Sequence, residues 1–411
     1  MEDIKPVEAV EDTRTPILWH SNAPWAATGY GTQTGLFGPR VVDLGYRLAF
    51  SAFYGLKGSR IGWQDPKGKG FVVYPGGRNN YGNDVIGSHY THWANGQKGL
   101  VVTLTDPWVL TAGIMAQLPV LAWTPVDHEP LMPRTHEWFA ASGAIPLAMS
   151  HFGKAMLERN GFDPLYCPHA YDPTIFRPLD RKLCRESLGI PEDAFLVGMV
   201  AANKGVPSRK CFAEAFAGFA EAKKKCGRQM YLYLHTQLEE PEGENLPALL
   251  ESLGITPLLS DQYAQSLGTP AASVAVLYNA FDVLLNPSQG EGFGVPLAES
   301  QACGTPCIVA DFSASREVAP VEAGNWCLDG APIWTPFNAW QMKPHIEGVT
   351  DALIEAFEEP EEDRLARRES VHAWASQEYE IEHVMETYMK PALEDALHRI
   401  AWTNQRMARA L

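Results

Sequence analysis

The sequence has no apolar run long enough to cross a membrane as a helix, which takes about 20 residues. The acidic N-terminus also lacks the apolar segment of a secretory signal, and we expect residues 1–14 to form a disordered leader. The seven scattered cysteines, an odd number, include no Cys-x-x-Cys pair, which argues against zinc clusters and a disulfide framework. We therefore expect a cytoplasmic protein without a membrane span.

Positive charge is scarce, since 33 Lys and Arg face 49 Asp and Glu and the net charge is −16. A surface this acidic disfavours non-specific binding of nucleic acid over most of its area, although it is compatible with a local basic groove. The apolar fraction of 45% is typical of a soluble globular protein. A chain of 411 residues exceeds one ordinary hydrophobic core, so we expect two domains.

The most informative stretch begins with Val283–Leu285, an apolar run that predicts a short buried strand. Three glycines within residues 290–294 follow it and leave the backbone bare. Pro296 then favours a first helical turn, and the predicted helix stops at Gly304. A strand, a bare loop and a helix N-terminus together favour an anion or a polar sugar, because unpaired N–H groups point outward there.

Two carboxylates frame this loop, Glu291 within it and Glu299 inside the predicted helix. Taken singly, each fits a structural role equally well. Glu291 could complement the positive end of the helix, and Glu299 could be an ordinary solvated helix residue.

The combined segment EGFGVPLAESQACGTPCIV, which starts at Glu291, closely resembles the signature of glycosyltransferase family 4, retaining enzymes of the GT-B fold. The resemblance implies an α/β protein in which two Rossmann-like, doubly wound domains face a cleft. It implies that Glu291 contacts donor-sugar hydroxyls, that Glu299 holds the nucleotide ribose, and that the loop amides approach sugar and phosphate. The loop residues assigned to donor binding are Gly292, Phe293, Gly294 and Val295. The segment departs slightly from the signature at Cys303 and Cys307.

Two adjacent cations, Arg209 and Lys210, follow the predicted strand 195–200. We place them on the first turn of the next helix, where the macrodipole disfavours cations and an anion would compensate. The family resemblance assigns this pair to the donor diphosphate, whereas side chains that simply extend into water are the alternative. We also assign Asn203 in the preceding loop and His235 at the end of the next strand to donor binding.

The first half of the chain opens with a βαβ pattern, in which strand 15–20 leads into a loop bearing Gly29 and Gly31 and a helix over about 32–44. A dinucleotide-binding motif needs an acidic residue after the second strand, and this strand ends at Tyr54 without one. The loop resembles instead the first loop of family 4, which closes over the donor diphosphate and the acceptor. Similar loops occur in phage and archaeal members, and a tight turn without a ligand is the alternative.

Two further predicted strands of the first half end in polar groups, Asp106 after one and Asp127, His128 and Glu129 after the other. Ligands of open α/β sheets bind at the carboxyl ends of strands. We expect Asp127 or His128 to orient the donor sugar or the acceptor, with Asp106 and Glu129 as competitors. His169 could approach the donor, but we interpret it as a hinge residue bonded to backbone.

The proline-rich segment 168–178 predicts an interdomain linker and resembles the hinge of the family. We predict an N-terminal acceptor domain over 15–172 and a C-terminal donor domain over 179–377. The resemblance implies that a terminal helix, about 378–411, packs back on the first domain. We interpret residues 326–343 as irregular and aromatic.

These features predict transfer of a sugar from a UDP- or GDP-sugar, with no cofactor. Breaking the anomeric C–O bond builds negative charge on the leaving diphosphate, which Arg209, Lys210 and the loop amides would stabilise. Asp-x-Asp occurs nowhere, so we expect no bound metal, and the resemblance implies retention of configuration. The acceptor stays open among a modified DNA base, a protein, and a glycan or lipid precursor. The acidic surface weighs against DNA, and the lack of a basic amphipathic anchor weighs against a membrane lipid.

Three other functions compete with this prediction. A nicotinamide-dependent oxidoreductase lacks its ribose-binding acid. A sugar phosphorylase or an epimerase on the same fold would share the phosphate site but would not transfer the sugar to an acceptor. A non-catalytic carbohydrate-binding protein would keep the fold without Glu291, Arg209 and Lys210, and all three are present.

Overall fold

The computed structural model describes residues 12–227 and 229–410, and within them the chain forms two mostly parallel sheets, each flanked by helices. This is the predicted pair of doubly wound α/β domains. The predicted leader falls largely outside the described residues. No helix in the described part of the chain is long and apolar enough to span a membrane.

The first sheet has the strand order β3-β4-β2-β1-β5-β6-β7-β8, and its pairs are parallel except for β3 with β4. Its central strands are buried on both faces, as parallel strands covered by helices are. The strands are β1 (Pro16–Asn22), β2 (Arg47–Tyr54), β3 (Ile61–Gln64), β4 (Gly70–Tyr74), β5 (Leu100–Leu104), β6 (Val120–Thr124), β7 (Ile145–Ala148) and β8 (Leu165–Tyr166). The helices are α1 (Gly29–Asp43), α2 (Ile86–Ala94), α3 (Ala112–Met115), α4 (Pro133–Ser142) and α5 (His151–Arg159).

The second sheet is parallel and has the order β11-β10-β9-β12-β13-β14. Its strands are β9 (Phe195–Val200), β10 (Met230–His235), β11 (Leu258–Leu259), β12 (Val283–Asn286), β13 (Cys307–Ala310) and β14 (Trp326–Leu328). Its helices are α6 (Arg181–Ser187), α7 (Phe212–Cys226), α8 (Leu246–Ser252), α9 (Gln262–Leu267), α10 (Ala271–Ala280), α11 (Val295–Ala302), α12 (Ser315–Val318), α13 (Ile346–Glu358) and α14 (Glu361–Glu378).

Strand order reverses at one point in each sheet, between β1 and β5 in the first and between β9 and β12 in the second. Loops that leave the carboxyl ends of such neighbouring strands diverge to opposite faces and open a crevice, where ligands of open α/β sheets bind. The loops at these two points carry the glycines after β1, Asp106 after β5, the cation pair after β9 and Glu291 after β12.

The C-terminal segments return to the first domain after α14. They are α15 (Ile381–Val384), a π-helical segment (Met385–Met389) and α16 (Lys390–Ala410). Glu382 accepts a 2.8 Å hydrogen bond from Arg40 of α1, and Tyr388 packs edge-on against Tyr166, with ring centroids 5.1 Å apart. Arg399 also pairs with Asp163. These contacts attach the end of the chain to the helices and strands of the N-terminal half.

The interpretation of residues 326–343 as irregular is wrong. They contain β14 and a two-stranded antiparallel hairpin. The hairpin strands are β15 (Gly330–Trp334) and β16 (Trp340–Pro344). Its loop is closed by a 3.0 Å bond from the N–H of Thr335 to the carbonyl of Ala339. Asn338 takes a φ of +57°, which asparagine tolerates better than most residues. Prolines and scattered aromatics hid this hairpin from pattern analysis.

Two helix starts also differ from prediction. Helix α1 begins at Gly29 rather than near residue 32, because the Thr28 hydroxyl caps it by accepting a 3.0 Å bond from the N–H of Gly31. Helix α7 begins at Phe212, because Cys211 has a φ of +54°. The cation pair at 209–210 therefore precedes the helix instead of lying on its first turn.

Candidate active site

A cleft of about 830 Å³ lies where the reversal points of the two sheets face each other. Its lining includes Gly29 after β1, Asp106 after β5, and Asp127 and His128 after β6 from the first domain. From the second domain it takes several residues assigned from sequence, namely Arg209, Lys210, Glu291, Gly292, Phe293, Gly294 and Val295. The structure thus brings most of the predicted site residues to one cavity.

Glu291 forms ion pairs with both cations of the second domain. Its Oε2 lies 2.9 Å from Nη1 of Arg209, and its Oε1 contacts Nζ of Lys210. The same Arg209 nitrogen donates a 2.7 Å bond to the carbonyl of Gly290. The anion that compensates the cations is therefore a carboxylate of the protein, and the cluster keeps one net positive charge.

Burial and charge set the ionisation of this cluster. Burial raises the pKa of Glu291, but the two neighbouring cations outweigh it and bring that pKa down to about 2. Burial and the adjacent Arg209 lower the pKa of Lys210. The charges of Glu291 and Asp127 raise the pKa of the Arg209 guanidinium, which is partly exposed to the cleft. Glu291 is accordingly ionised throughout the neutral range.

The glycines of the 290–294 loop serve the domain contact as well as the cleft. A Cβ on Gly290 would lie 2.4 Å from the carbonyl oxygen of Asp127, and one on Gly292 would lie 2.4 Å from Cβ of Pro125. Both positions need glycine because the first domain packs directly on this loop. Gly294 has a φ of +92° and is the N-cap residue that precedes α11.

Two helix N-termini open on the cleft from opposite sides. Gly29 and Tyr30 start α1 in the first domain, and Val295 starts α11 in the second. Peptide N–H groups of a first helical turn have no partner within the helix and carry partial positive charge. With the net charge of the cation pair and Glu291, this arrangement favours an anion such as a diphosphate.

Asp127 and His128 form a hydrogen-bonded pair at the end of β6. Nδ1 of His128 lies 2.6 Å from Oδ1 of Asp127, which fixes the orientation of the ring. Within the described residues, Nε2 of His128 is buried without a hydrogen-bond partner. A buried polar atom that lines a cleft and lacks a partner is available to a bound ligand. Glu129 instead pairs with Arg159 outside this cavity.

Asp106 lines the cleft from the first domain, whereas the 290–294 loop lines it from the second. Burial, with the charge of Asp127 as a smaller cause, raises the pKa of Asp106 to about 6. The negative charge of this region is partly offset by Arg134, whose guanidinium lies between the rings of Trp108 and Phe337, 3.5 and 4.0 Å from their centroids.

Tyr30 and His169 line the cleft although neither was assigned to the site from the sequence. Tyr30 lines the cavity beside Asp106 and Asp127, and burial raises its pKa. His169 also lines it and does not bond to backbone through Nδ1, contrary to our interpretation, since that nitrogen is buried without a partner among the described residues. Burial lowers the pKa of His169 to about 3, so the imidazole is neutral. A histidine in the linker next to the sheet edge was the available signal for it.

Glu299 is buried rather than solvated and lies outside the lining of the cleft, one turn into α11. The hydroxyl of Tyr278 donates a 3.1 Å hydrogen bond to its Oε2. Burial raises the pKa of Glu299 to about 8 despite that bond. The side chain is therefore mostly protonated at neutral pH in the unliganded protein.

Asn203 follows β9 and His235 ends β10, so both lie where strands of the second sheet have their carboxyl ends. Neither residue lines the cavity. The amide of Asn203 is occupied by the backbone of Glu244, donating 2.9 Å to its carbonyl and accepting 2.9 Å from its N–H. Nδ1 of His235 lies 2.7 Å from the hydroxyl of Ser260. Asn203 thus holds two loops together, and a direct ligand contact by its amide would need one of these bonds to break.

Known proteins similar to this chain share the region built around the cation pair. Residues 209–331 match the family model described as "Glycosyl transferases group 1". The D-inositol 3-phosphate glycosyltransferase of Geodermatophilus obscurus is 28% identical over 249 residues, which cover 57% of this chain and 53% of that protein. The corresponding protein of Thermomonospora curvata is 28% identical over 268 residues, 60% of each chain. The chain thus spans little more than half the length of these curated relatives.

Solved structures resemble the whole fold. Sucrose-phosphate synthase from Thermosynechococcus elongatus superposes with a TM-score of 0.70 at 15% identity, over 96% of this chain and all of that one. Anabaena HepE in complex with UDP-glucose gives a TM-score of 0.66 at 15% identity, covering 92% and 99% of the two chains. WaaG, a glycosyltransferase involved in lipopolysaccharide biosynthesis, gives 0.60 at 15% identity, over 92% and 98%. The predicted GT-B fold is confirmed.

Proposed function

Because the chain carries a group 1 glycosyltransferase domain within a GT-B fold, we propose that it transfers a sugar from a nucleoside-diphosphate sugar to an acceptor. One observation carries the proposal. Arg209 and Lys210 meet Glu291 at the reversal point of the second sheet, inside an interdomain cleft onto which two helix N-termini open. This arrangement has the charge and the unpaired N–H groups that a leaving diphosphate requires.

The diphosphate would lie between the cation pair and the starts of α1 and α11. Arg209 is well placed to bind it, since its side chain is 43% exposed and a guanidinium carries five N–H donors. Negative charge grows on the diphosphate as the anomeric C–O bond breaks, so fixed cations stabilise the transition state more than the bound donor. In this proposal the cations do this without a bound metal.

Glu291 would change partners when the donor binds. In the structure it forms ion pairs with both Lys210 and Arg209. Diphosphate oxygens that take up part of the hydrogen-bonding capacity of these cations would leave carboxylate lone pairs for donor-sugar hydroxyls. This accounts for a carboxylate that stays ionised in a buried place. Glu299, one turn after the start of α11, would hold the ribose.

On the opposite wall, we assign His128 to the donor sugar or the acceptor through its unpartnered Nε2, with Asp127 holding the ring. We further propose retention of anomeric configuration, in which the leaving phosphate accepts the proton of the acceptor hydroxyl on the same face of the sugar. That hydroxyl forms the new bond to the anomeric carbon while the bond to the diphosphate oxygen breaks. No covalent enzyme intermediate is required.

A uridine nucleotide is the first donor to test, because structures of Anabaena HepE contain UDP or UDP-glucose, and GDP-sugars come second. For the compartment we propose the cytoplasm. Its support is that all seven cysteines, which lie within the described residues, are free thiols, as a reducing compartment favours.

The test is a thermal-shift panel of UDP, UDP-glucose, GDP and GDP-mannose, followed by mass spectrometry of products. We expect a diphosphate nucleotide to raise the melting temperature of the wild type and not that of Arg209→Ala. Transfer to an added acceptor would separate the proposal from a phosphorylase, which releases a sugar phosphate, and from an epimerase, which changes only the donor. If none of the four nucleotides stabilises the wild type, the proposal is wrong.

A further inference from the structure

The hairpin formed by residues 330–344, called here the aromatic hairpin, belongs to the second domain but contacts the first. The N–H of Glu129 donates 3.0 Å to the carbonyl of Trp340, and the N–H of Trp340 donates 2.8 Å back. The side chain of Gln341 adds a 3.2 Å bond to the carbonyl of Asp127. The aromatic hairpin therefore spans the cleft and forms one of its walls.

Large aromatic surfaces of the aromatic hairpin stay open in this wall. Trp334 and Phe337 both line the cleft, and they are 51% and 39% exposed. One face of Phe337 is covered by Arg134, whereas Trp334 meets Trp340 edge-on at 4.9 Å between ring centroids. An exposed indole at a cleft wall offers a flat apolar face to a ligand.

The position of the aromatic hairpin separates it from His235, which we assigned to donor binding from the sequence. It follows β14, at one edge of the second sheet, whereas His235 ends β10 near the other edge. Four strand spacings of ~4.8 Å put roughly 19 Å between these two strands. The N–H of Met342 bonds to the carbonyl of Gln289 at 3.1 Å, so the aromatic hairpin lies on the side of the diphosphate site away from β10. A group bound at the aromatic hairpin would therefore lie far from a nucleoside held near β10.

The charge of this end of the cleft limits what the acceptor can be. Asp106 and Asp127 line it, and the charges of Arg209 and Arg134 both act on these two acids. Carboxylates accept hydrogen bonds from hydroxyls and repel phosphates. A sugar ring offers C–H faces to an indole and hydroxyls to carboxylates, so it matches both kinds of group in this wall.

We propose that the aromatic hairpin forms an acceptor subsite for an uncharged carbohydrate ring. The ring stacks on Trp334, and Asp106 accepts hydrogen bonds from its hydroxyls. The inference rests on the proposed function, and it narrows the acceptor from a modified DNA base, a protein or a lipid precursor to a glycan end. Trp334 binds the acceptor and leaves the donor site untouched.

The test uses full-length protein labelled with 5-fluorotryptophan, in which the ¹⁹F resonance of Trp334 is assigned from its loss in Trp334→Phe. UDP-saturated protein is titrated with methyl glycosides of glucose, galactose, mannose and N-acetylglucosamine, with their disaccharides, and with an oligothymidylate. We expect saturable shifts of the Trp334 resonance with at least one saccharide and none with the oligonucleotide.

A kinetic arm uses the saccharide that shifts the resonance as acceptor. Trp334→Ala should raise its KM about tenfold, the loss of about 1.4 kcal/mol of binding, with kcat and the UDP affinity unchanged. The matched control is Tyr263→Ala, an exposed aromatic on α9 that should change neither constant.

Two results would overturn the subsite: a Trp334 shift caused by the oligonucleotide, or no shift with any saccharide in protein that binds UDP. Failure of UDP itself to bind would instead contradict the proposed function. The ¹⁹F titration without nucleotide would still report on the subsite in that case.

Discussion

The carboxylate of Glu291 lies 2.9 Å from the guanidinium of Arg209, so a residue that follows β12 neutralises one that follows β9 across the reversal point of the sheet. If the proposed function is right, the donor diphosphate would not enter an empty cationic pocket. It would compete with an internal anion, and the affinity for donor would be the difference between two sets of charge interactions.

Replacing one cation should therefore affect stability as well as binding. Lys210→Met leaves the buried Glu291 with one partner, and we expect a loss of about 2 kcal/mol in the free energy of unfolding. The double variant Lys210→Met with Glu291→Gln should regain most of that loss while UDP affinity stays low. Urea titration and calorimetry measure the two quantities. Lys182→Met, on an exposed side chain, is the control, and wild-type UDP affinity in the double variant would contradict the assignment.

The contact between Gly290 and Asp127 predicts a closure mutant. Gly290→Ala would place a Cβ 2.4 Å from the carbonyl oxygen of Asp127, which the two domains can relieve only by moving apart. We expect a larger radius of gyration by small-angle X-ray scattering and a lower kcat, with UDP affinity largely retained by the second domain. Gly29→Ala, whose Cβ would have no neighbour within 4 Å, should leave the radius of gyration unchanged. An unchanged radius in both variants would refute this role of Gly290.

Burial of Glu299 makes stability depend on pH. Its pKa is raised from 4.5 to about 8 in the folded protein, so the folded state holds a proton that the unfolded state releases. The stabilising effect is present below pH 4.5 and is lost as pH rises through about 8, by a few kcal/mol at about 1.4 kcal/mol per pKa unit. In Glu299→Gln, the urea-denaturation midpoint should no longer depend on pH between pH 4.5 and about pH 8. A wild-type slope in the variant would assign the effect to another group.

The same group should couple UDP binding to proton release. Ribose hydroxyls donate to a carboxylate better than to a carboxylic acid, so nucleotide binding should lower the pKa of Glu299. Calorimetry in two buffers of different ionisation enthalpy should show proton release near pH 7, and UDP affinity should rise between pH 6 and pH 8. Glu299→Gln should bind UDP more weakly and without proton release. Equal proton release in the variant would exclude Glu299 from the ribose site.

Asp106 predicts a lower transition in the pH profile of transfer. Its pKa is raised to about 6, so the side chain becomes a carboxylate as pH rises through that value. In the proposal, this carboxylate accepts hydrogen bonds from the hydroxyls of the acceptor substrate. We expect kcat/KM for the acceptor to rise across pH 6 and to lose this rise in Asp106→Asn, whereas the KM for donor changes in neither. A transition that survives in the variant would point to a different ionising group.

Much of the site was predictable because it lies where apolar strands give way to polar loops. Arg209, Asp127 and Glu291 follow strands that the sequence marks by uninterrupted apolar runs, and parallel sheets bring such ends to one edge. The carboxyl ends of strands can therefore be located from the sequence alone.

The remaining features depend on contacts between distant segments. No pattern shows that Glu291 pairs with Lys210, 81 positions earlier, or that Gly290 is needed because Asp127 packs on it. The aromatic hairpin was missed because its prolines are typical of loops, and its pairing with Glu129 depends on the approach of the two domains. Cys211 was equally hidden, since a positive φ at a cysteine has no sequence signal.

The central claim is that a nucleoside diphosphate binds where Arg209, Lys210 and Glu291 meet. A crystal structure of the protein with UDP tests it most directly. We expect the diphosphate within hydrogen-bonding distance of Arg209 and Lys210 and at the N-terminus of α11, with Glu291 turned toward the sugar side and the ribose near Glu299. UDP bound elsewhere, with the ion pairs of Glu291 intact and no nucleotide at this point of the cleft, would contradict the account.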